Sequence, residues 1–424
     1  MHGHKSRIVN TVVKSTKVVI CGSYGLGNPG DEAILSCMMR ALKVFPRQID
    51  FVVLSFDPSH TSKLHGVKAI PILSLRIADK VSLLRKSHLF ILGGGGLIQD
   101  YSSMLNLPLW VSNLKLAHAM GTPTMLYAVG VEPIRFASCR TNVARALGQA
   151  SVITVRDENS AKLLKSWGTR NEVLVTADPA WGMKNLAYHG PEYSCEQAGK
   201  ESRDEPLVGI SLRQWLDLDS SIYRYIFPFK HDPRLWRFSA NLKAERFLNA
   251  MASVADALVE RVNARIVVLP FWQKADRATC ISFIDRVRHR ERVELVRDQY
   301  SGLQLIALMR NMDAFIGMRM HSLLFAAISG TPFIALGYSP KVKAFMSQLG
   351  QLPEGIEDPS ITVNDLERVE SLDNLVDAVV RLIEKRDEIG RTLERKSTAL
   401  AARSERSAFE AFDLLTTTLS RAKE

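Results

Sequence analysis

The chain has 424 residues, of which 46% are hydrophobic and 23% charged, a composition ordinary for a soluble globular protein with room for two or three domains. Its formal net charge of +11 suits anionic ligands, an anionic membrane surface or nucleic acid, yet the basic residues are dispersed without a long Lys/Arg block, so a solvated surface explains them equally well; no nucleic-acid partner is expected. Five scattered cysteines form no CxxC pair or zinc spacing, residues 1–17 contain no apolar signal-peptide core, and no run of about 18 apolar residues occurs; the expectation is a reducing, cytoplasmic setting without a transmembrane helix.

Residues 17–22 (KVVICG) form a short β-rich run, followed by a glycine-rich turn at 22–30 and a helical pattern over 31–45. Further strands are expected at 51–56, 88–92, 123–129, 152–155 and 173–176, with helices at 81–85, 109–120, 137–149 and 159–167. A charged stretch of low apolar content, 183–206, interrupts this pattern. The alternation then restarts, with strands at 207–212, 265–270, 293–296, 312–316 and 332–336 and helices at 242–262, 278–289, 303–311 and 322–329. Such alternation predicts an α/β protein with parallel sheets covered on both faces. Two doubly wound domains facing a cleft, 1–182 and 207–370, joined by a linker at 183–206, are the economical arrangement. Residues 371–424 form a helical tail that packs back on the body or mediates association. The insertion 214–240 gathers Trp215, Tyr223, Tyr225, Phe227, Phe229, Trp236 and Phe238 among four basic residues. It reads either as a lid that stacks on sugars or meets a membrane surface, or as a satellite core under a long loop.

Candidate chemistry concentrates where strands end and helices begin. Gly25, Gly27 and Gly30 satisfy GxGxxG, but Asp31 and Glu32 follow in the first helical turn, where they would repel a pyrophosphate. An acidic residue there suits hydroxyl binding or general-base work, with plain helix capping as the alternative. Gly93–Gly96 end a strand and let a ligand approach the backbone, or let a helix pack closely. Arg156 leaves the strand at 152–155 as an anion clamp or as the partner of Asp157 or Glu158. Asp178, before Pro179, reads as turn chemistry. Arg213 leaves another strand end and could grip a carboxylate bidentately. Arg319, His321 and Ser322 stand at the corner after 312–316; the arginine two residues before the histidine favours a catalytic role over a structural one. At the next corner Ser339 reads as an N-cap, Pro340 as the first helical residue and Lys341 as a cation in the first turn. No serine-hydrolase elbow, Walker A loop or metal-ligand cluster is visible, so neither metal nor cofactor is expected.

These pieces together resemble the polysaccharide pyruvyl transferases. The matching segments are 25–33 (GLGNPGDEA), 92–100 (LGGGGLIQD), 154–158 (TVRDE) with 177–179 (ADP), 209–213 (GISLR), and 317–322 (GMRMHS) with 338–341 (YSPK), in the family's order across about three quarters of the chain. The resemblance implies two Rossmann-like domains in a GT-B-like arrangement. It also implies transfer of the enolpyruvyl unit of phosphoenolpyruvate to a sugar as a cyclic ketal, with release of phosphate. On it, His321 and Asp31 are the catalytic candidates, Asp31 on the acceptor side. Arg156, Arg213, Arg319 and Lys341, with Gly94, Gly95 and Ser322, are the substrate-binding candidates. The acceptor would be a sugar or lipid-linked oligosaccharide of a cell-surface or exopolysaccharide precursor, which admits peripheral contact with the inner face of a membrane; oligomerisation is left open. Two departures stand out: Gly130-Val131-Glu132-Pro133 in place of a glycine-rich turn, and the aromatic insertion, which matches no family motif. A nucleotide-sugar GT-B glycosyltransferase and a non-catalytic sugar-binding relative are the competing readings; a dinucleotide oxidoreductase is disfavoured by Asp31-Glu32.

Overall fold

Apolar runs that end in glycine or polar turns assemble into two all-parallel sheets. The computed structural model describes residues 15–100, 106–186, 205–213, 242–337, 340–350, 360–362 and 369–421. The aromatic insertion, most of the expected linker and Ser339 lie outside them.

The first sheet is built from β1 (Thr16–Cys21), β2 (Ile49–Ser55), β3 (Lys68–Pro71), β4 (Leu89–Gly93), β5 (Thr124–Val129), β6 (Val152–Val155) and β7 (Leu174–Val175). Between them run α1 (Pro29–Leu42), α2 (Pro58–His65), α3 (Ile77–Arg85), α4 (Asn106–Ala119), α5 (Ala137–Leu147) and α6 (Glu158–Ser166), and a 3₁₀ helix (Pro179–Asn185) follows β7. The strand order is β3-β2-β1-β4-β5-β6-β7. Every residue of β4 and β5 is buried, as expected of strands covered on both faces, so they read as continuous apolar runs without alternation.

The second sheet contains β8 (Leu207–Ser211), β9 (Arg265–Val268), β10 (Val293–Leu295), β11 (Ala314–Gly317), β12 (Phe333–Gly337) and β13 (Ser360–Thr362), in the order β10-β9-β8-β11-β12-β13. Its helices are α7 (Leu242–Val262), α8 (Gln273–Ile284), α9 (Gly302–Arg310), α10 (Met320–Ser329), α11 (Pro340–Leu349) and α12 (Val369–Glu384). Each sheet therefore reverses its winding between its first and fourth strands. That is the topological switch point, where the loops part and a ligand crevice opens. Here the switch points lie between β1 and β4 and between β8 and β11.

α2, β3 and β13 escape the sequence pattern. β3 (KAIP) and β13 (SIT) are short edge strands whose pairing partner, rather than apolar periodicity, supplies their order. The 3₁₀ helix reaches into the expected linker, and Met183 is buried there.

The tail packs back. α13 (Arg386–Arg421), about 54 Å long at helical rise, lies along both halves. Near its start the Ser397 hydroxyl donates to Ala327 O of α10 at 2.9 Å. Three turns on, the buried Ser407 hydroxyl lies 3.0 Å from Thr154 Oγ1 and 2.9 Å from Thr176 Oγ1, at the end of the first sheet. Beyond it Phe412 packs on Phe45, with ring centroids 5.4 Å apart. Small residues, Ala401, Ser404, Ala408 and Ala411, keep this face close to the body. Replacing Ser407 with Ala should remove a hydrogen-bond partner from two buried threonines and cost about 1–2 kcal/mol, measured as a lower urea midpoint at unchanged m-value.

Candidate active site

The site forms where α1 of the first half meets α10 of the second. Asn28 caps α1: its side chain accepts from Gly30 N at 3.2 Å and donates to Asp31 Oδ2 at 2.6 Å. Pro29 starts the helix, where its missing N–H costs nothing. The turn before it is held from behind by the buried Glu32, which accepts from Gly25 N at 3.0 Å and lies 2.8 Å from His65 Nε2. Gly25 and Gly27 take positive φ, +85° and +72°, which only glycine adopts without strain. Across the crevice, Arg319 is the N-cap of α10 and His321 stands in its first turn.

These two corners touch. A Cβ built on Gly30 would fall 2.3 Å from His321 Nδ1 and 2.4 Å from its Cγ. Gly30 has no unusual φ, so the demand for glycine there is one of space. The other ring nitrogen, Nε2, is buried and lies 3.4 Å from Asp178 Oδ2, an ion-pair distance without the alignment of a hydrogen bond. Asp178 caps the 3₁₀ helix, accepting from Ala180 N at 3.0 Å, and also faces Arg156 Nη1 at 3.3 Å. Burial pushes the Asp178 carboxyl up, but His321 and Arg156 outweigh it and hold it below the usual range.

Asp31 behaves oppositely. Burial raises its pKa from 3.8 to about 6; His321 counters this, Glu32 adds to it, and Asn28 and Lys341 counter it further. The cleft therefore holds one carboxylate poised near neutrality and one that stays ionised. Gly95, at φ +77°, brings its backbone against Asp31: a Cβ there would sit 3.3 Å from Oδ1.

The sequence-derived candidates separate accordingly. His321, Asp31 and Gly95 come together, and Lys341 lies near enough to act on the Asp31 carboxyl. Gly94, at φ +65°, packs beneath Ile34, so its role lies in helix–sheet contact. Arg156 is brought in but is only 5% exposed; it lies between Asp178 and Asp157, the latter at 3.4 Å, rather than opening to an incoming anion. The Gly130–Glu132 turn explains that burial: a Cβ on Gly130 would collide with the guanidinium at 2.7 Å, and the buried Glu132 adds negative charge beside it. A bulge in β5, with Ala128 at φ +50°, aims this turn. Ser322 is fully buried and donates its hydroxyl to Arg319 O at 2.7 Å, so it braces the helix start instead of facing the cleft. Arg213 follows β8 at the switch point, its N–H on Met318 Sδ at 3.4 Å. Arg319 forms a fork on the fully buried Asp276, at 2.6 Å and 2.5 Å, with Trp272 stacked on its guanidinium.

Sequence reasoning took Asp178 for turn chemistry and passed over its place facing His321; Asp276 carried no signal at all.

Comparison with known proteins adds a family and a fold. The family model described as polysaccharide pyruvyl transferase matches residues 28–340. The amylovoran biosynthesis protein AmsJ of Erwinia amylovora is 21% identical over 384 residues, covering 81% of this chain and 88% of AmsJ. Among solved structures, a glycosyltransferase from Rickettsia africae aligns with TM-score 0.59 at 10% identity, over 95% of this chain and 99% of its own. The UDP-GlcNAc 2-epimerase of Methanocaldococcus jannaschii aligns with TM-score 0.57 at 13% identity, over 90% and 98%. These structural likenesses establish the GT-B-like fold, two Rossmann-like sheets with a helical C-terminal region.

Two measurements probe the site. Gly30→Ala should displace the His321 ring at a cost of about 1–3 kcal/mol in stability; a crystal structure with the ring unmoved would contradict the contact. For Asp31 the native pKa exceeds the unfolded one, so the native state holds the proton more tightly. The associated penalty is absent below about pH 4 and grows as pH rises through about 6. Asp31→Asn should therefore match wild type at pH 4 and exceed it by roughly 1–3 kcal/mol at pH 7.5 in denaturant titrations.

Proposed function

The chain belongs to the polysaccharide pyruvyl transferase family, and on that premise we propose that it transfers the enolpyruvyl unit of phosphoenolpyruvate to two hydroxyls of one sugar, forming a cyclic ketal and releasing phosphate. The observation that carries this is the meeting of His321 with two carboxylates of opposite character, Asp31 and Asp178. A carboxylate near neutral pKa beside a histidine supplies the base and acid that the reaction needs.

Phosphoenolpyruvate carries about three negative charges at neutral pH. Arg213, Arg319, Lys341 and the N-terminus of α10 are the cationic groups at the crevice that would hold it. Arg319 is pre-aimed by Asp276, so little conformational freedom is lost on binding. Arg156 acts behind the site, fixing the charge and position of Asp178. Asp178 in turn orients His321.

In the reaction, His321 delivers a proton to the methylene carbon, making C2 electrophilic. Asp31 accepts the proton of the first attacking hydroxyl, and a C2–O bond forms. The second hydroxyl adds to C2 as the C2–O bond to phosphate breaks. Of the two hydroxyl protons, one is balanced by that gained in the new methyl group and the other leaves with phosphate. AmsJ's role in amylovoran biosynthesis supports an exopolysaccharide precursor as acceptor. No described helix is long and apolar enough to cross a membrane; a lipid-linked acceptor would be met at the cytoplasmic face.

The test is incubation of the protein with phosphoenolpyruvate and candidate oligosaccharides, following phosphate release and acceptor mass together. Acceptor-dependent phosphate should match ketal formed, and His321→Ala should lower turnover by at least about 10²-fold. Near-wild-type turnover in that variant would remove His321 from the mechanism. Release of UDP from a UDP-sugar, with no phosphate from phosphoenolpyruvate, would favour glycosyl transfer instead.

A further inference from the structure

A chain of contacts leads from the donor arginine to the opposite half of the molecule. Trp272, the N-cap of α8, makes three of them. Its ring lies under the Arg319 guanidinium, 5.2 Å from ring centroid to Cζ. Its backbone N–H donates at 2.9 Å to Asp276 Oδ2, an atom that Arg319 also grips. Its indole Nε1 donates across the crevice to Leu26 O at 3.2 Å. Leu26 belongs to the turn that ends in the Asn28 cap, and Asn28 holds Asp31. The Trp272 contact at Leu26 lies two residues before the Asn28 cap. A second side chain reaches the same turn: Gln299 Nε2 donates to Gly27 O at 3.4 Å.

We infer that Trp272 and Asp276 are positioning residues that tie the grip on the donor to the placement of the acceptor-side base, so that a donor on Arg319 steadies the turn before Asp31. This rests on the proposed donor role of Arg319. Asp276 fixes the fork and Trp272 translates its position to Leu26 O. An anion on Arg319 shares the guanidinium with Asp276 and so restricts its motion over the Trp272 ring, the residue that also carries the inter-half hydrogen bond. The consequence is order: the acceptor hydroxyls meet a correctly placed Asp31 once the donor is bound.

Trp272→Phe separates the two functions, since it keeps an aromatic ring under Arg319 and the backbone bond to Asp276 but removes the indole donor. Gln299→Ala is the control, loosening the same turn without altering the Arg319 stack. Hydrogen–deuterium exchange of the peptide spanning residues 25–32 is followed with and without saturating phosphoenolpyruvate, whose binding is measured separately by calorimetry. In wild type and Gln299→Ala the donor should slow exchange. In Trp272→Phe it should bind without slowing exchange, and the acceptor KM should rise roughly 3–10-fold, the worth of one neutral hydrogen bond, while the donor KM moves little. Donor-induced protection that survives in Trp272→Phe overturns the coupling and leaves the donor reading standing. Failure of phosphoenolpyruvate to bind the wild-type protein overturns the donor reading, and the inference falls with it.

Discussion

Asp178 is the constraint around which the two halves meet. A carboxylate 2% exposed is tolerable only if cations replace the water it has lost. One partner, the Arg156 guanidinium, comes from the same half and is itself buried; another, the His321 ring, comes from α10 in the second half. The buried carboxylate of the first half is thus enclosed by the approach of the second. The same approach puts the imidazole against Gly30, which leaves no room for a side chain, and beside Asp31. Removing Arg156 would leave Asp178 undercompensated, which is a larger loss than the pair contributes when intact.

The fold explains why these groups are near enough to interact. Both sheets have the same winding, so each opens a crevice at its switch point, with helix N-termini directed into it. α1 and α10 are the helices at those points. Their N-terminal N–H groups and dipoles favour negative charge, which would suit an anionic ligand and also explains why Asp31 and Glu32 rather than lysines stand in the first turn of α1. α13 then straps the halves, with serine hydroxyls on Ala327 O at one end and on Thr154 and Thr176 at the other. The stacked rings of Trp181 and Phe345, 6.0 Å apart, add an apolar contact between the 3₁₀ helix and α11.

Structural neighbours with this fold include an epimerase of UDP-GlcNAc and a glycosyltransferase. Fold alone therefore does not separate sugar-nucleotide chemistry from pyruvyl transfer. The distinction lies in the side chains at the switch points. Under the proposed reading, carboxylates on either side of a histidine would carry acid–base work on a small anionic donor, whereas Asp31 and Glu32 would oppose a pyrophosphate lying over α1.

Much of this was legible in the sequence because it is local. The alternation of apolar runs with helical periodicity determined two parallel doubly wound sheets, and glycines and charged residues at strand ends marked the corners that became the site. His321 and Asp31 were visible there as residue types in suitable places. What the tertiary structure decided was pairing across distance. Arg156 was equally readable as an open clamp or an ion-pair partner until burial against the Gly130 turn, and an aspartate 22 residues away, settled its surroundings. Asp276 lies 43 residues before Arg319 on an otherwise ordinary amphipathic helix, with nothing in its neighbourhood to mark it. The Ser407 contacts span 253 and 231 residues. Local periodicity reports which face of an element is buried; it carries no information about which buried charge will find which partner, because that depends on how two sheets and a returning helix are brought together.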